Sequence, residues 1–259
     1  MRGLCLAACL VAGPALAAGH DSADVLFLGE VHDNPAHHAR QAEIVAEVQP
    51  AAIVWEMLTP AQAGQVAPDL VPDEDALGAA LGWAESGWPD FFMYYPIFAA
   101  APEAAHYGAL VTRQAAGEVM QAGLAATFGA QASAFGLDSP LPEDELQTRL
   151  DGQQAAHCNA MPEEMLPVMV EIQRLRDGTL AAAALQAFEE TGGPVAVITG
   201  NGHARKDWGA PALLARAAPK IRIFALGQGE TGRGAPEGGF DVIESAPPVE
   251  RGDPCAAFN

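Results

Sequence analysis

Six short apolar runs punctuate this chain of 259 residues: Val25–Leu28, Ala51–Trp55, Tyr107–Val111, Pro194–Thr199, Ile221–Leu226 and Phe240–Ile243. They are mostly continuous rather than alternating, the pattern of strands covered on both faces. Helical segments separate them. Pro35–Val48 has Asn34 in the capping position and Pro35 at the first helical position, and Gly209–Ala217 follows the fourth run. This alternation predicts an α/β fold with a mainly parallel sheet flanked by helices. Between the third and fourth runs, the stretch from about Gln114 to Gly192 is helical in pattern and too long for one crossover. It is expected to form an inserted helical subdomain packed over the sheet. Met161, Met165 and Met169 recur there at helical spacing, with Leu166 and Val170, a stripe that reads as core.

Two glycine–histidine motifs follow two of the runs. Gly29-Glu30-Val31-His32 leaves the first and Gly200-Asn201-Gly202-His203 leaves the fourth, so each places a histidine past a strand's carboxyl end, where open α/β sheets build their sites. Side chains alternate along an extended chain, which puts Glu30 and His32 on the same side. Glu56 ends the second run, and reads equally well as a cap for the next helix. Glycines beside Asn201 allow close approach of backbone to a ligand. Glu30, His32, Glu56 and His203 are therefore expected in one crevice, where they could hold a divalent metal ion, polarise a water or orient a larger cofactor. His37 and His38 fall in the first turn of the Pro35 helix, where free N–H groups and the helix dipole attract an anion such as a carboxylate.

The stretch from Trp83 to Phe98 holds two of the four tryptophans and two of the three tyrosines. Its interleaved Gly and Pro predict an aromatic-lined loop rather than a regular element. A flat apolar cofactor would suit a wall of Trp83, Trp88 and Phe98, with a phenol available as an oxygen ligand to iron.

Met1-Arg2, the apolar stretch Gly3–Val11 and Ala15-Leu16-Ala17 together have the form of a secretory signal over residues 1–18, leaving one domain over 19–259. Leu6-Ala7-Ala8-Cys9 also has the form of a lipoprotein box, so a form lipidated at Cys9 stands beside a free periplasmic one. Export leaves Cys158 and Cys255, an even pair in an oxidising compartment. Their disulfide is expected to pin the tail after Ala246 onto the helical region. With 33 acidic against 13 basic residues the formal net charge is −20, which argues against nucleic acid or an anionic membrane surface as partner.

On these residues the sequence resembles the ChaN-like haem-binding uptake family of the Tiki superfamily. Gly29-Glu30-Val31-His32 and Gly200-Asn201-Gly202-His203 match its two Gly-x-x-His motifs. The extended form Gly-Glu-x-His-Asp-Asn-Pro-x-His-His, followed by Gln41, and Tyr94-Tyr95-Pro96-Ile97 point to the ChaN branch; the match runs from about Leu26 to Leu226. The resemblance implies non-covalent ferric haem held through a tyrosine, and a role in haem or iron uptake at the envelope. Tyr94 occupies the matching position, with Tyr95 as the neighbouring phenol. His32, His38 and His203 are implied near the propionates and Trp88 in the apolar wall. A homodimer closing the site and an envelope receptor or permease are the implied partners. No Cys-x-x-Cys-His occurs, which excludes covalent haem attachment. Such a protein reads as a carrier more than as an enzyme. The alternative from another class is a metal-dependent hydrolase, like the peptidase- or esterase-like branches, with a divalent ion at Glu30, His32, Glu56 and His203 and one glutamate as base.

Overall fold

In the computed structural model, which describes residues 19–256, the six expected strands form a single sheet in the order β3-β2-β4-β1-β5-β6. They are β1 (Val25–Glu30), β2 (Ala52–Trp55), β3 (Ala105–Gly108), β4 (Val195–Gly200), β5 (Ile223–Glu230) and β6 (Val242–Ala246). Every neighbouring pair is parallel. All residues of β1 and β4 are buried, which is why their sequences are continuous rather than alternating. The third strand starts earlier than its apolar run, at Ala105, and Ala109–Val111 leaves the sheet to line a cavity described below. The expected signal segment, residues 1–18 with Cys9, lies outside the described residues.

The helices are α1 (Pro35–Val48), α2 (Pro60–Ala63), α3 (Glu74–Ala80), α4 (Phe91–Ala100), α5 (Arg113–Ala122), α6 (Leu124–Phe128), α7 (Glu143–Ala156), α8 (Leu166–Thr191), α9 (Asn201–Ala204) and α10 (Ala210–Ala217). As expected, α1 starts at Pro35 with the Asn34 side chain accepting the Ala36 N–H. Alternate residues of β1 serve opposite faces of the sheet. Leu26 and Leu28 pack with Ile44, Ile97 and Phe98 from α1 and α4, while Val25 and Phe27 pack with Leu180, Ala184 and Leu214 from α8 and α10. The expected helical insertion is α5 to α8, and α8 lies across β2, β3 and β4.

One local expectation is overturned. Phe91–Ala100, read as part of an aromatic loop, is a helix with Pro96 inside it. An interior proline loses one backbone hydrogen bond and costs about 3 kcal/mol. Burying Tyr94, Ile97 and Phe98 on one face returns about 1.5–3 kcal/mol for each large apolar side chain. Burial therefore outweighs the breaker.

The connections explain where a site can form. From β1 the chain crosses through α1 towards β2 on one face, whereas from β4 it crosses through α10 to β5 on the other. Adjacent carboxyl ends sending the chain in opposite directions leave a crevice between them.

The tail after β6 straps this end of the sheet. Arg251 ion-pairs with Asp33 and with Glu230, 2.6 Å from its Oε2, while Asn34 donates to Glu230 Oε1 at 2.7 Å. Beyond Arg251, Cys255 is joined to Cys158 by the expected disulfide. Arg251, against the opposing effect of burial and with help from Asn34, holds the Glu230 carboxyl down from 4.5 to about 2. A depressed folded-state value means that this contribution is complete above pH 4.5 and is lost as the pH falls towards 2. The urea midpoint should fall across that window in the wild type and less steeply in Glu230→Gln. Equal slopes in the two proteins would remove Glu230 from the acid response.

Candidate functional site

The two glycine–histidine motifs interlock. A Cβ on Gly29 would lie 2.6 Å from Asn201 Oδ1 and 2.7 Å from the Leu226 carbonyl, and a Cβ on Gly200 would lie 2.9 Å from His32 Nε2. Each motif's glycine thus makes room for a side chain of the other. Asn201 is fixed in turn by the Gln228 backbone, donating to its carbonyl at 2.8 Å and accepting its N–H at 2.9 Å.

Glu30, at the end of β1, organises the first cluster. Its side chain is fully enclosed; Oε1 accepts from Tyr94 Oη at 3.0 Å and pairs with His32 Nδ1 at 2.8 Å, and Oε2 lies 3.3 Å from His38 Nδ1. Burial works against this carboxylate, yet His32 and His38 hold its pKa well below the usual range. His32 is likewise opposed by burial but is pushed up to about 9, chiefly by its bond to Glu30. His38 Nε2 donates to the His32 carbonyl at 2.8 Å, and Glu30 raises its pKa despite burial.

His37 behaves differently. The Val31 N–H donates to its Nδ1 at 2.9 Å, so the ring donates through Nε2 to the Gly229 carbonyl at 3.0 Å and is neutral, and burial lowers its pKa. Both His37 and His38 are fully buried. The expectation that they dock an anion at the start of α1 does not match this arrangement, because both rings face inward: His37 is hydrogen-bonded through both nitrogens, and His38 donates through Nε2 to the His32 carbonyl while its Nδ1 faces Glu30.

A second cluster forms at the end of β4. Glu56 Oε2 accepts from Thr199 Oγ1 at 2.6 Å and from the Gly200 N–H at 2.8 Å, which secures the turn into α9. Its Oε1 lies 3.8 Å from His203 Nε2, and His203 Nδ1 pairs with Asp177 Oδ1 at 2.6 Å. Burial opposes a charged His203, but Glu56 and Asp177 together raise its pKa. Asp177 comes from α8 and went unrecognised in the sequence; nothing local distinguishes it from a solvated helix residue.

His32, Glu56 and His203 meet around a cavity of about 360 Å³ that is also lined by Trp88, Leu110 and Arg176. Three of the four residues expected in the crevice line this cavity, and Glu30 is enclosed behind His32; they do not stand as a metal-ligand set. Glu30 is committed to Tyr94, His32 and His38, and Glu56 to Thr199 and Gly200. Among the described residues no three His, Cys, Asp or Glu side chains form a group that could hold a metal ion. The divalent site is corrected on that ground.

The aromatic wall is also narrower than expected. Trp83 is buried with its indole N–H donating to the Pro89 carbonyl at 2.8 Å, and Phe98 stacks on Trp55 with ring centres 3.9 Å apart. Of the three residues named for the wall, Trp88 lines the cavity, with the His32 ring 4.9 Å from its own. Tyr94 is fully buried beneath, and burial together with Glu30 pushes its pKa far above the usual phenol value. Tyr95 is half-buried against Phe91, with ring centres 6.1 Å apart.

A family model described as haem-binding uptake, Tiki superfamily, ChaN matches residues 16–214. No curated protein matches this sequence. Among solved structures, ChaN of Campylobacter jejuni, which shows cofacial haem binding, is similar with a TM-score of 0.61 and 22% identity, over 80% of this chain and 82% of that one. The type III effector HopBA1 is similar with a TM-score of 0.45 and 13% identity, over 87% of this chain and 88% of that one.

Proposed function

Since the chain belongs to the ChaN family of haem-binding uptake proteins in the Tiki superfamily, we propose that it binds ferric haem non-covalently in the crevice between the carboxyl ends of β1 and β4. The observation that carries this reading is the pairing of His32 with Trp88. The His32 side chain is 34% exposed in an otherwise enclosed cluster, and it opens beside an indole onto the cavity. Haem would supply an iron that accepts a nitrogen or oxygen donor and a flat face that takes apolar cover. His32 fits the first need once its Nε2 gives up the proton that the bond to Glu30 favours, and Trp88 with Leu110 and Val111 fits the second.

Tyr94 fits less directly. It is the residue that the resemblance matches, yet its hydroxyl is enclosed and donates to Glu30, so the phenol would have to part from Glu30 before meeting iron. Geometry favours His32 as the donor, with Tyr94 as the second reading. The cavity of about 360 Å³ is at the small end of ligand pockets, which span roughly 300–1,000 Å³, and this supports closure by a second copy of the chain. The signal-like start and the disulfide support a periplasmic place and an uptake role, with an envelope receptor or permease as partner.

Absorbance titrations with ferric haem test the donor in wild type, His32→Ala, Tyr94→Phe and Tyr95→Phe. His32→Ala should weaken binding by about tenfold or more, the loss of one strong polar contact. Tyr94→Phe should retain most of it. A tyrosinate-like spectrum in the wild type that vanishes in Tyr94→Phe would instead assign the iron to Tyr94.

A further inference from the structure

We infer that Arg176 is the anion anchor of the crevice and holds a carboxylate of the bound ligand. The inference rests on the haem reading above, under which that carboxylate is a propionate. On α8 the spacing of Gln173, Arg176, Asp177 and Leu180 places them on one helix face. Asp177 is committed to His203. Gln173, Arg176 and Leu180 line the cavity with His32 and Trp88.

Arg176 stands apart from the other cations of the chain. It is half-buried, and among the described residues its guanidinium has neither a hydrogen bond nor an ion pair. The other enclosed or half-enclosed arginines have partners: Arg40 has Glu244, Arg149 has Glu145, Arg205 has Asp207, Arg251 has Glu230, and Arg174 donates to the Gly136 and Ser139 carbonyls. Among the described residues Arg113, Arg216 and Lys220 also stand unpaired, but they are exposed, where water suffices. In a chain with 33 acidic and 13 basic residues, a carboxylate for Arg176 would be easy to supply from within. Leaving a partly desolvated guanidinium without one is unfavourable unless a ligand completes it.

The chemistry of the cavity defines that ligand. Trp88, Ala109, Leu110, Val111 and Leu180 supply apolar lining, and Gln173 and Arg176 supply polar lining beside His32, Glu56 and His203. A guanidinium and a carboxylate match as two parallel hydrogen bonds. An apolar body with an acidic edge matches both kinds of lining, which is the outline of a tetrapyrrole dicarboxylate.

The test removes the iron, so that the axial donor plays no part. Iron-free protoporphyrin and its dimethyl ester are titrated, by porphyrin fluorescence, into wild type, Arg176→Gln and Arg176→Lys. The wild type should prefer the free acid by about 10-fold to 100-fold, the range of a charge-assisted hydrogen bond. Arg176→Gln should lose that preference, and Arg176→Lys should recover part of it. Since Arg176 holds nothing within the protein, thermal unfolding of Arg176→Gln should match the wild type; if it does not, the lysine variant carries the comparison. A full preference for the free acid in Arg176→Gln would overturn the anchor while leaving haem binding intact. Failure of the wild type to bind either porphyrin or ferric haem would overturn both.

Discussion

Glu30→Ala is expected to lower folding stability by about 3–5 kcal/mol, the range for breaking a buried ion pair from one side. The carboxylate is enclosed and serves three partners: Tyr94 at 3.0 Å, His32 at 2.8 Å and His38 at 3.3 Å. Without it the fully buried His38 keeps its bond to the His32 carbonyl but loses the charge that faces its other nitrogen. Tyr94 is left with a buried donor and no acceptor at comparable distance, since the His32 carbonyl is 3.4 Å away. Glu30→Gln keeps the volume and an oxygen for Tyr94, so its loss should be smaller, on the order of half. Urea denaturation of the three proteins checks the order. A Glu30→Ala midpoint equal to that of the wild type would show that the cluster contributes nothing to the fold.

Replacing Cys158 and Cys255 together by serine should cost about 3–4 kcal/mol, because the bond closes a loop with a sequence separation of 97 in the unfolded chain. Chain-entropy reasoning gives somewhat more, about 4.7 kcal/mol for a loop near 100 residues. The lower figure is expected because native-state strain and structure left in the unfolded chain commonly reduce the entropic gain. The tail itself would keep its second hold, through Arg251 to Asp33 and Glu230. Denaturant midpoints of the wild type with and without reductant should bracket the double variant. Insensitivity to both reductant and substitution would mean that the two sulfurs are not joined in the folded protein.

How far the sequence spoke for the structure differs by element. The inner strands β1, β2, β4 and β5 were legible because two covered faces force continuous apolar runs, whereas the partly exposed edge strands β3 and β6 only overlap the runs expected for them; α1 was legible because Asn34 and Pro35 form a start signal that acts locally. The shared side of Glu30 and His32 followed from strand alternation, and their bond shows it. What failed depended on partners far along the chain. The Gly and Pro residues interleaved through Trp83–Phe98 suggested a loop, but the buried face of α4 decided otherwise. His37 and His38 were placed correctly on the first turn of α1, yet their direction depends on Gly229 and Glu30, which no local rule supplies. Asp177 and Arg176 look like the polar side of any helix; only the passage of α8 over the end of β4 brings them to His203 and the cavity.

Equilibrium titration of the purified chain with ferric haem, following the haem absorbance and tryptophan fluorescence together, is the experiment to perform before any other. Binding in the crevice predicts a saturable absorbance change that ends at one haem per chain and quenching that saturates with it, since Trp88 lines the cavity. A linear, unsaturated rise with no matching quenching, the behaviour of haem in the presence of a protein without a site for it, would contradict haem binding there.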